Sequence, residues 1–239
     1  MARDNQRVAA IVLAAGKSTR MNGIDKLLYP LASIPTICWS LRTLETSSLV
    51  DNIVLVLAKD RNSDIESISR KASPTKLTTI CDGGPSRFQS VLKGLLSTGP
   101  GYGWALIHDG ARPFISKGVI KRGLAVARSK GSAIAALPAT DSVKVCDDKR
   151  RIIDERPRTK MWLAQTPQIC GFTMLLESYQ KQLPCADELT DEASVLFAAG
   201  FQPHVFEGSP TNLKLTTQAD LELAQDIATH LSNDSDKRG

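Results

Sequence analysis

Apolar runs without polar alternation, each separated from the next by a stretch of helical spacing, recur along this chain and constrain its fold more than any other feature. Val8–Leu13, Asn52–Leu57, Leu77–Cys81, Trp104–His108 and Ala133–Pro138 read as strands buried on both faces. Ile37–Leu44, Asp64–Lys71, Ser86–Leu96 and Lys117–Ser129 read as the helices between them, and Val91, Leu92 and Leu95 give the third its inward face. Gly171–Lys181, Asp191–Ala199 and Gln218–Leu231 read as later helices. Parallel strands need crossovers of this kind, so the pattern predicts an α/β fold with a mostly parallel twisted sheet covered by helices. At 239 residues the chain can bury roughly 70–75% of its unfolded surface, and one domain over residues 1–239 is expected.

The longest apolar runs, such as Val8–Ala15 and Ile53–Ala58, fall far short of the roughly 20 residues a membrane helix needs. The N-terminal MARDNQR leads into a strand-like run and then into charge, unlike a signal peptide, so a cytoplasmic protein is expected. The five cysteines are odd in number, widely spaced and without a CxxC, which argues against a disulfide framework or a thiolate metal site. The formal charge of +5 is modest and spread out, and no aromatic residues interleave with Lys and Arg to stack bases. Small phosphorylated ligands suit it, and neither nucleic acid nor a membrane is expected as a partner.

Lys144–Lys160 carries seven basic and four acidic residues in seventeen positions. A solvated loop fits, and so does a projecting β-arm with strands at Val143–Val145 and Arg151–Asp154 and a turn at Asp147–Lys149. The tail, residues 232–239, reads as frayed.

The sharpest local feature is LAAGKSTRM at Leu13–Met21, where a buried strand delivers small residues and then a basic, hydroxyl-rich segment. Small side chains let a ligand approach the backbone, whose N–H groups can receive phosphate oxygens. A Walker loop fails because its first glycine would fall on Ile11, and GxGxxG is absent. Arg20 and Lys26, around an Asn22-Gly23 turn, can converge on a triphosphate and neutralise charge at its α-phosphorus.

CDGGPSRFQSV at Cys81–Val91 leaves the Gly83-Gly84 backbone open to a base or sugar and brings Ser90 into a helix; an ordinary loop with a helix cap is the plainer reading. HDGARPF at His108–Phe114 lies at a strand's carboxyl end, where open α/β sheets bind ligands. Asp109 can orient a hydroxyl or help hold Mg²⁺, Arg112 can bind phosphate or fix the loop, and His108 reads as structural. Thr190, in LTDEA, is a helix cap or points into a phosphate pocket, and Lys214 lies in a strand-like Leu213–Leu215.

Taken in order, LAAGKSTRM, Lys26, DGG with SR, HDGARP, PATDSV, AQTPQ, TDEAS and NLKLT give a chain that closely resembles the 2-C-methyl-D-erythritol 4-phosphate cytidylyltransferases over roughly Val8 to Ala228. The resemblance implies a Rossmann-like nucleotidyltransferase fold, a β-arm at 143–160 that joins a homodimer, CTP and a sugar-alcohol phosphate as substrates, and Mg²⁺ or another divalent cation carried mainly on the CTP phosphates, with no protein metal ligand assigned. It implies catalytic roles for Arg20, Lys26 and Lys214. Nucleotide binding would fall to Ala14, Ala15, Gly16, Gly83, Ser90 and Asp109. The acceptor would meet Asp109, Arg112, Ser142, Arg158, Thr190 and Lys214, with Arg158 reaching across the dimer. Gly110, Ser142 and Pro85 depart from the Ala, Thr and acidic residue common at these places. The related ribitol 5-phosphate cytidylyltransferases share much of this arrangement.

Overall fold

Alternate residues of the first strand feed opposite faces of one sheet. A computed structural model of the chain describes residues 6–16, 25–59, 62–186 and 188–236. In β1 (Val8–Ala14), Val8, Ala10, Val12 and Ala14 join one apolar cluster while Ala9 and Ile11 join another. The same split occurs in β4 (Asn52–Leu57), with Ile53, Leu55 and Leu57 on one side and Val54 and Val56 on the other. Each fully buried Ile or Leu contributes about 1.5–3 kcal/mol, and past Asn52 at the start of β4 both strands are apolar throughout.

The chain then runs through a short β2–β3 hairpin (Pro30–Leu31 and Ile34–Pro35), α1 (Thr36–Glu45), β4, α2 (Asn62–Ala72), β5 (Leu77–Asp82), α3 (Arg87–Ser97), β6 (Trp104–Asp109), α4 (Lys117–Lys130) and β7 (Ser132–Pro138). After β8 (Val143–Cys146) and β9 (Ile152–Arg156) come β10 (Trp162–Gly171), α5 (Phe172–Lys181), α6 (Glu192–Ala198), β11 (Val205–Glu207) and α7 (Gln218–Asp236). The seven-stranded sheet has the order β11-β7-β10-β6-β1-β4-β5. Only β10 runs antiparallel to its neighbours, so the expected mostly parallel α/β sheet is what forms.

From β1 the chain steps outward to β4 and β5 and returns to β6 on the other side of β1, creating a crevice beyond the strands' carboxyl ends. Residues 14–16, 83–86 and 109–112 all lie at such ends.

Three elements differ from the reading of the sequence. The sequence pattern assigns no strand to the AQTPQ segment, yet β10 lies between β6 and β7, with its register broken between Ala164 and Gln168 where Pro167 sits. Leu213–Leu215 is a loop, not a strand, anchored by the fully buried Leu215 and by its N–H donating to the Ala111 carbonyl at 2.9 Å. The last helix continues past Leu231 to Asp236. β8 and β9 pair as the hairpin of an arm, and every residue of β9 is exposed. Among the described residues no helix is long and apolar enough to cross a membrane.

Candidate active site

The crevice holds a cavity of about 890 Å³, within the range of small-molecule sites, bordered by Ala14, Ala15, Gly16, Lys26, Gly83 and Ser90 among others. Gly83 is required there by close approach, since a Cβ would collide with Ala15 Cβ and lie 3.0 Å from Ser90 Oγ. The loop is braced from within. Gly83 N–H donates to the Leu57 carbonyl (2.7 Å), and Gly84 N–H donates to Ser90 Oγ (3.0 Å), whose own proton goes to the Ser86 carbonyl (2.9 Å). The expectation of open Gly83 and Gly84 amides is therefore corrected: both are spent inside the protein, and Ser90 shapes the loop. Ser86 caps α3 by accepting from Gln89 N–H. Arg20 lies outside the described residues.

A smaller cavity of about 170 Å³ adjoins, bordered by Arg112, Gln165, Thr166, Gln168, Thr190 and Asp191. Arg87, Asp109 and Lys214 border both cavities. Asp109 Oδ2 lies 2.8 Å from Lys214 Nζ and 3.8 Å from Arg112 Nε, while Oδ1 lies 3.5 Å from Arg87 Nε. Burial alone would raise the carboxyl's pKa, but Arg87, Lys214 and Arg112 hold it well below the usual carboxylate range. Asp109 stays ionised and acts as the hub for three cations.

The hub rests on a buried network. Thr166 Oγ1 accepts from Asp109 N–H (3.0 Å) and meets His108 Nδ1 (3.2 Å), while His108 Nε2 faces the Arg112 carbonyl (2.9 Å). A carbonyl can only accept, so Nε2 carries the proton and Nδ1 accepts from Thr166. Burial lowers the His108 pKa to about 4, so the ring is neutral and structural, as its sequence context suggested. Asn212, fully buried, donates its side-chain Nδ2–H to the Thr166 carbonyl (2.7 Å), and its backbone carbonyl accepts from Arg112 Nη1 (2.8 Å). Gln165 Nε2 donates to the Ser209 carbonyl and its Oε1 accepts from Ser209 N–H, which ties the loop bearing Lys214 to β10.

Thr190 is not the cap of α6. Asp191 is, with Ser194 completing a reciprocal capping box, and Thr190 is exposed at the smaller cavity's edge. Gln168 holds this corner by donating to Asp191 Oδ2 (3.0 Å) and accepting from Ala193 N–H (3.2 Å). Ser142 and Arg158 border neither cavity within the chain; both are exposed, and Arg158 Nη1 donates to the Thr140 carbonyl at 3.0 Å. Thus the structure gathers Ala14, Ala15, Gly16, Lys26, Gly83, Ser90, Asp109 and Lys214 at one cavity and Arg112 and Thr190 at the next.

Sequence reasoning missed Arg87, Thr166 and Asn212. Arg87 had two signals, its place in the DGG and SR motif and a cation at a helix N-terminus, where the dipole disfavours it. A Cβ at Gly110 would lie 2.8 Å from Ile37 Cδ1 and 3.0 Å from the Leu13 carbonyl, so the glycine suits this chain's own packing.

The family model for 2-C-methyl-D-erythritol 4-phosphate cytidylyltransferase matches residues 8–230. A protein of that name from Clostridium novyi (strain NT) is 35% identical over 224 residues, covering 93% of this chain and 96% of the relative. The crystal structure of 4-diphosphocytidyl-2C-methyl-D-erythritol synthase from Anaerococcus prevotii DSM 20548 superposes with a TM-score of 0.83 at 26% identity, over 95% of this chain and 98% of that one. The 2-C-methyl-D-erythritol 4-phosphate cytidylyltransferase of Thermus thermophilus gives 0.75 at 26% identity, over 93% and 99%. With its mostly parallel sheet, its paired cavities and the matched span of 8–230, the chain belongs to the 2-C-methyl-D-erythritol 4-phosphate cytidylyltransferase family.

Proposed function

We propose that the protein transfers CMP from CTP to 2-C-methyl-D-erythritol 4-phosphate, giving 4-diphosphocytidyl-2-C-methyl-D-erythritol and pyrophosphate. The observation that carries this reading is the wall shared by the two cavities, where one carboxylate holds three cations between a nucleotide-sized space and a smaller one.

CTP occupies the larger cavity, its base and ribose against Gly83, Ser90 and Asp109 and its phosphates along Ala14–Gly16. The acceptor phosphate enters the smaller cavity against Arg112, Thr190 and Lys214. Its oxygen forms a bond to the α-phosphorus as the bond from that phosphorus to the bridging oxygen of pyrophosphate breaks. A phosphate monoester is already a nucleophile near neutral pH, so the chain's task is alignment and charge neutralisation. Lys26 and Arg20 neutralise charge around the transferring phosphorus, while Lys214 orients the attacking phosphate.

Asp109 is the carboxylate common to both cavities, and three cations already face it. No cluster of three or more His, Cys, Asp or Glu side chains suited to a metal occurs among the described residues. Mg²⁺ would be carried on the CTP phosphates, whose charge it would screen. Arg158, exposed on the arm, and Ser142, exposed next to it in the chain, complete the acceptor site of a second copy in an arm-mediated homodimer.

Pyrophosphate release from CTP and Mg²⁺ tests the reading, with methylerythritol 4-phosphate and ribitol 5-phosphate compared as acceptors. Release with the former at the higher kcat/KM is expected. CTP binding without release, or preference for ribitol 5-phosphate, would overturn it.

A further inference from the structure

Glu192, the first residue of α6, has a side chain with no exposed surface and accepts three hydrogen bonds. Arg87 supplies two, Nη1 to Oε1 at 2.8 Å and Nη2 to Oε2 at 3.0 Å, and Tyr179 Oη donates the third to Oε1 at 2.9 Å. Arg87 opens α3 directly after the loop of residues 83–86, at the helix end where a cation is disfavoured. Its remaining nitrogen, Nε, faces Asp109 Oδ1.

Packing alone does not call for this pair. Phe88 and Tyr179 already join α3 to α5 with ring centroids 4.5 Å apart, and apolar side chains can replace a buried ion pair without loss of stability. What the pair adds is direction, because a bidentate fork fixes the guanidinium plane. With Oδ1 occupied by Arg87, Oδ2 is left for Lys214 and Arg112. Arg87, Arg112 and Lys214 against Asp109 and Glu192 leave one net positive charge at the wall between the cavities.

We infer that Arg87, held by Glu192, is a positioning residue for the transfer reaction: it fixes the Asp109 carboxylate and so sets Lys214 and Arg112 where the acceptor phosphate arrives. Without Arg87 the carboxylate turns both oxygens toward Lys214 and Arg112 and draws these cations away from the phosphate. This inference rests on the reaction proposed above.

The wild-type protein must first release pyrophosphate from CTP with the acceptor; failure there overturns the proposed reaction itself. Given that activity, the Arg87→Met/Glu192→Leu double variant replaces the pair with apolar groups. It is expected to melt within a few degrees of wild type, to bind CTP alone by calorimetry with affinity changed less than about threefold, and to lose roughly 100-fold in kcat/KM for the acceptor, on the scale of a misplaced reactive group. A folded double variant with wild-type kcat/KM, or with equal losses in acceptor KM and CTP affinity, overturns the inference. Should the double variant not fold, Arg87→Lys decides. It keeps a cation but not the fork, a loss of about tenfold or more in acceptor kcat/KM is expected, and wild-type turnover overturns the inference.

Discussion

Lys214 Nζ lies 2.8 Å from Asp109 Oδ2, joining a loop residue to the end of a central strand 105 positions earlier in the chain. The pair stands at the boundary between the two cavities, with the Lys214 side chain 38% exposed and Asp109 11%. Partial exposure makes the ion pair a minor source of stability, whereas its position makes the ammonium available to a phosphate. Lys214→Met is expected to leave the melting temperature within a few degrees of wild type and to lower kcat/KM for the acceptor by roughly 100- to 1,000-fold. A folded Lys214→Met protein with wild-type turnover would remove Lys214 from the mechanism.

Lys26 borders the larger cavity together with Ala14–Gly16 and with Gly83, which is distant in sequence. In the proposed reaction its charge acts on the phosphorus under attack more than on the ground-state complex. Lys26→Ala should therefore depress kcat by roughly 100-fold while the CTP dissociation constant changes by less than about tenfold. Steady-state kinetics and calorimetry on the same preparation separate the two, and a loss confined to CTP binding would refute the assignment.

Asp109 and Lys26 were legible in the sequence because each follows a recognisable strand or turn. Arg87 was not, since its carboxylate partner lies 105 residues away and only the folded chain brings α3 and α6 together. β10 was hidden for a different reason. Its centre, Gln165 to Gln168, spends side chains on the Ser209, Asp109 and Asp191 corners, so it lacks the apolar signature of a central strand. Leu213–Leu215 erred in the opposite direction, because its alternating leucines serve to pin a loop against α7 and not to join a sheet.

His108 provides a pH test of the buried network. Its pKa is about 4 in the native protein against 6.5 when unperturbed, because burial disfavours the imidazolium. Between these values the unfolded chain binds a proton that the native state does not. Stability from this group is thus complete above pH 6.5 and is lost as pH falls toward 4, by about 3 kcal/mol in all. His108→Gln keeps a donor for the Arg112 carbonyl and cannot titrate. Urea midpoints from about pH 7 to about pH 4.5 should fall more steeply for wild type than for His108→Gln, and parallel profiles would show that His108 does not govern this window.

A two-stranded hairpin is marginal on its own, and the ion pairs of β8–β9, such as Lys144–Glu155 at 2.6 Å, are exposed and weak. Ile152 and Ile153 are each 64% exposed, and as neighbours on one strand they present apolar surface on both faces of the hairpin. Leu163 and Trp162, 60% and 43% exposed, extend that surface to the arm's base. In the proposed homodimer, burial against a second copy would remove this cost and bring Arg158 toward the other subunit's acceptor cavity. Ile152→Asp/Ile153→Asp should convert a dimer to a monomer in sedimentation velocity and lower acceptor kcat/KM by at least about tenfold. Arg158→Ala should lower kcat/KM similarly while remaining dimeric. A monomeric wild type, or a fully active monomeric variant, would refute assembly of the site through the arm.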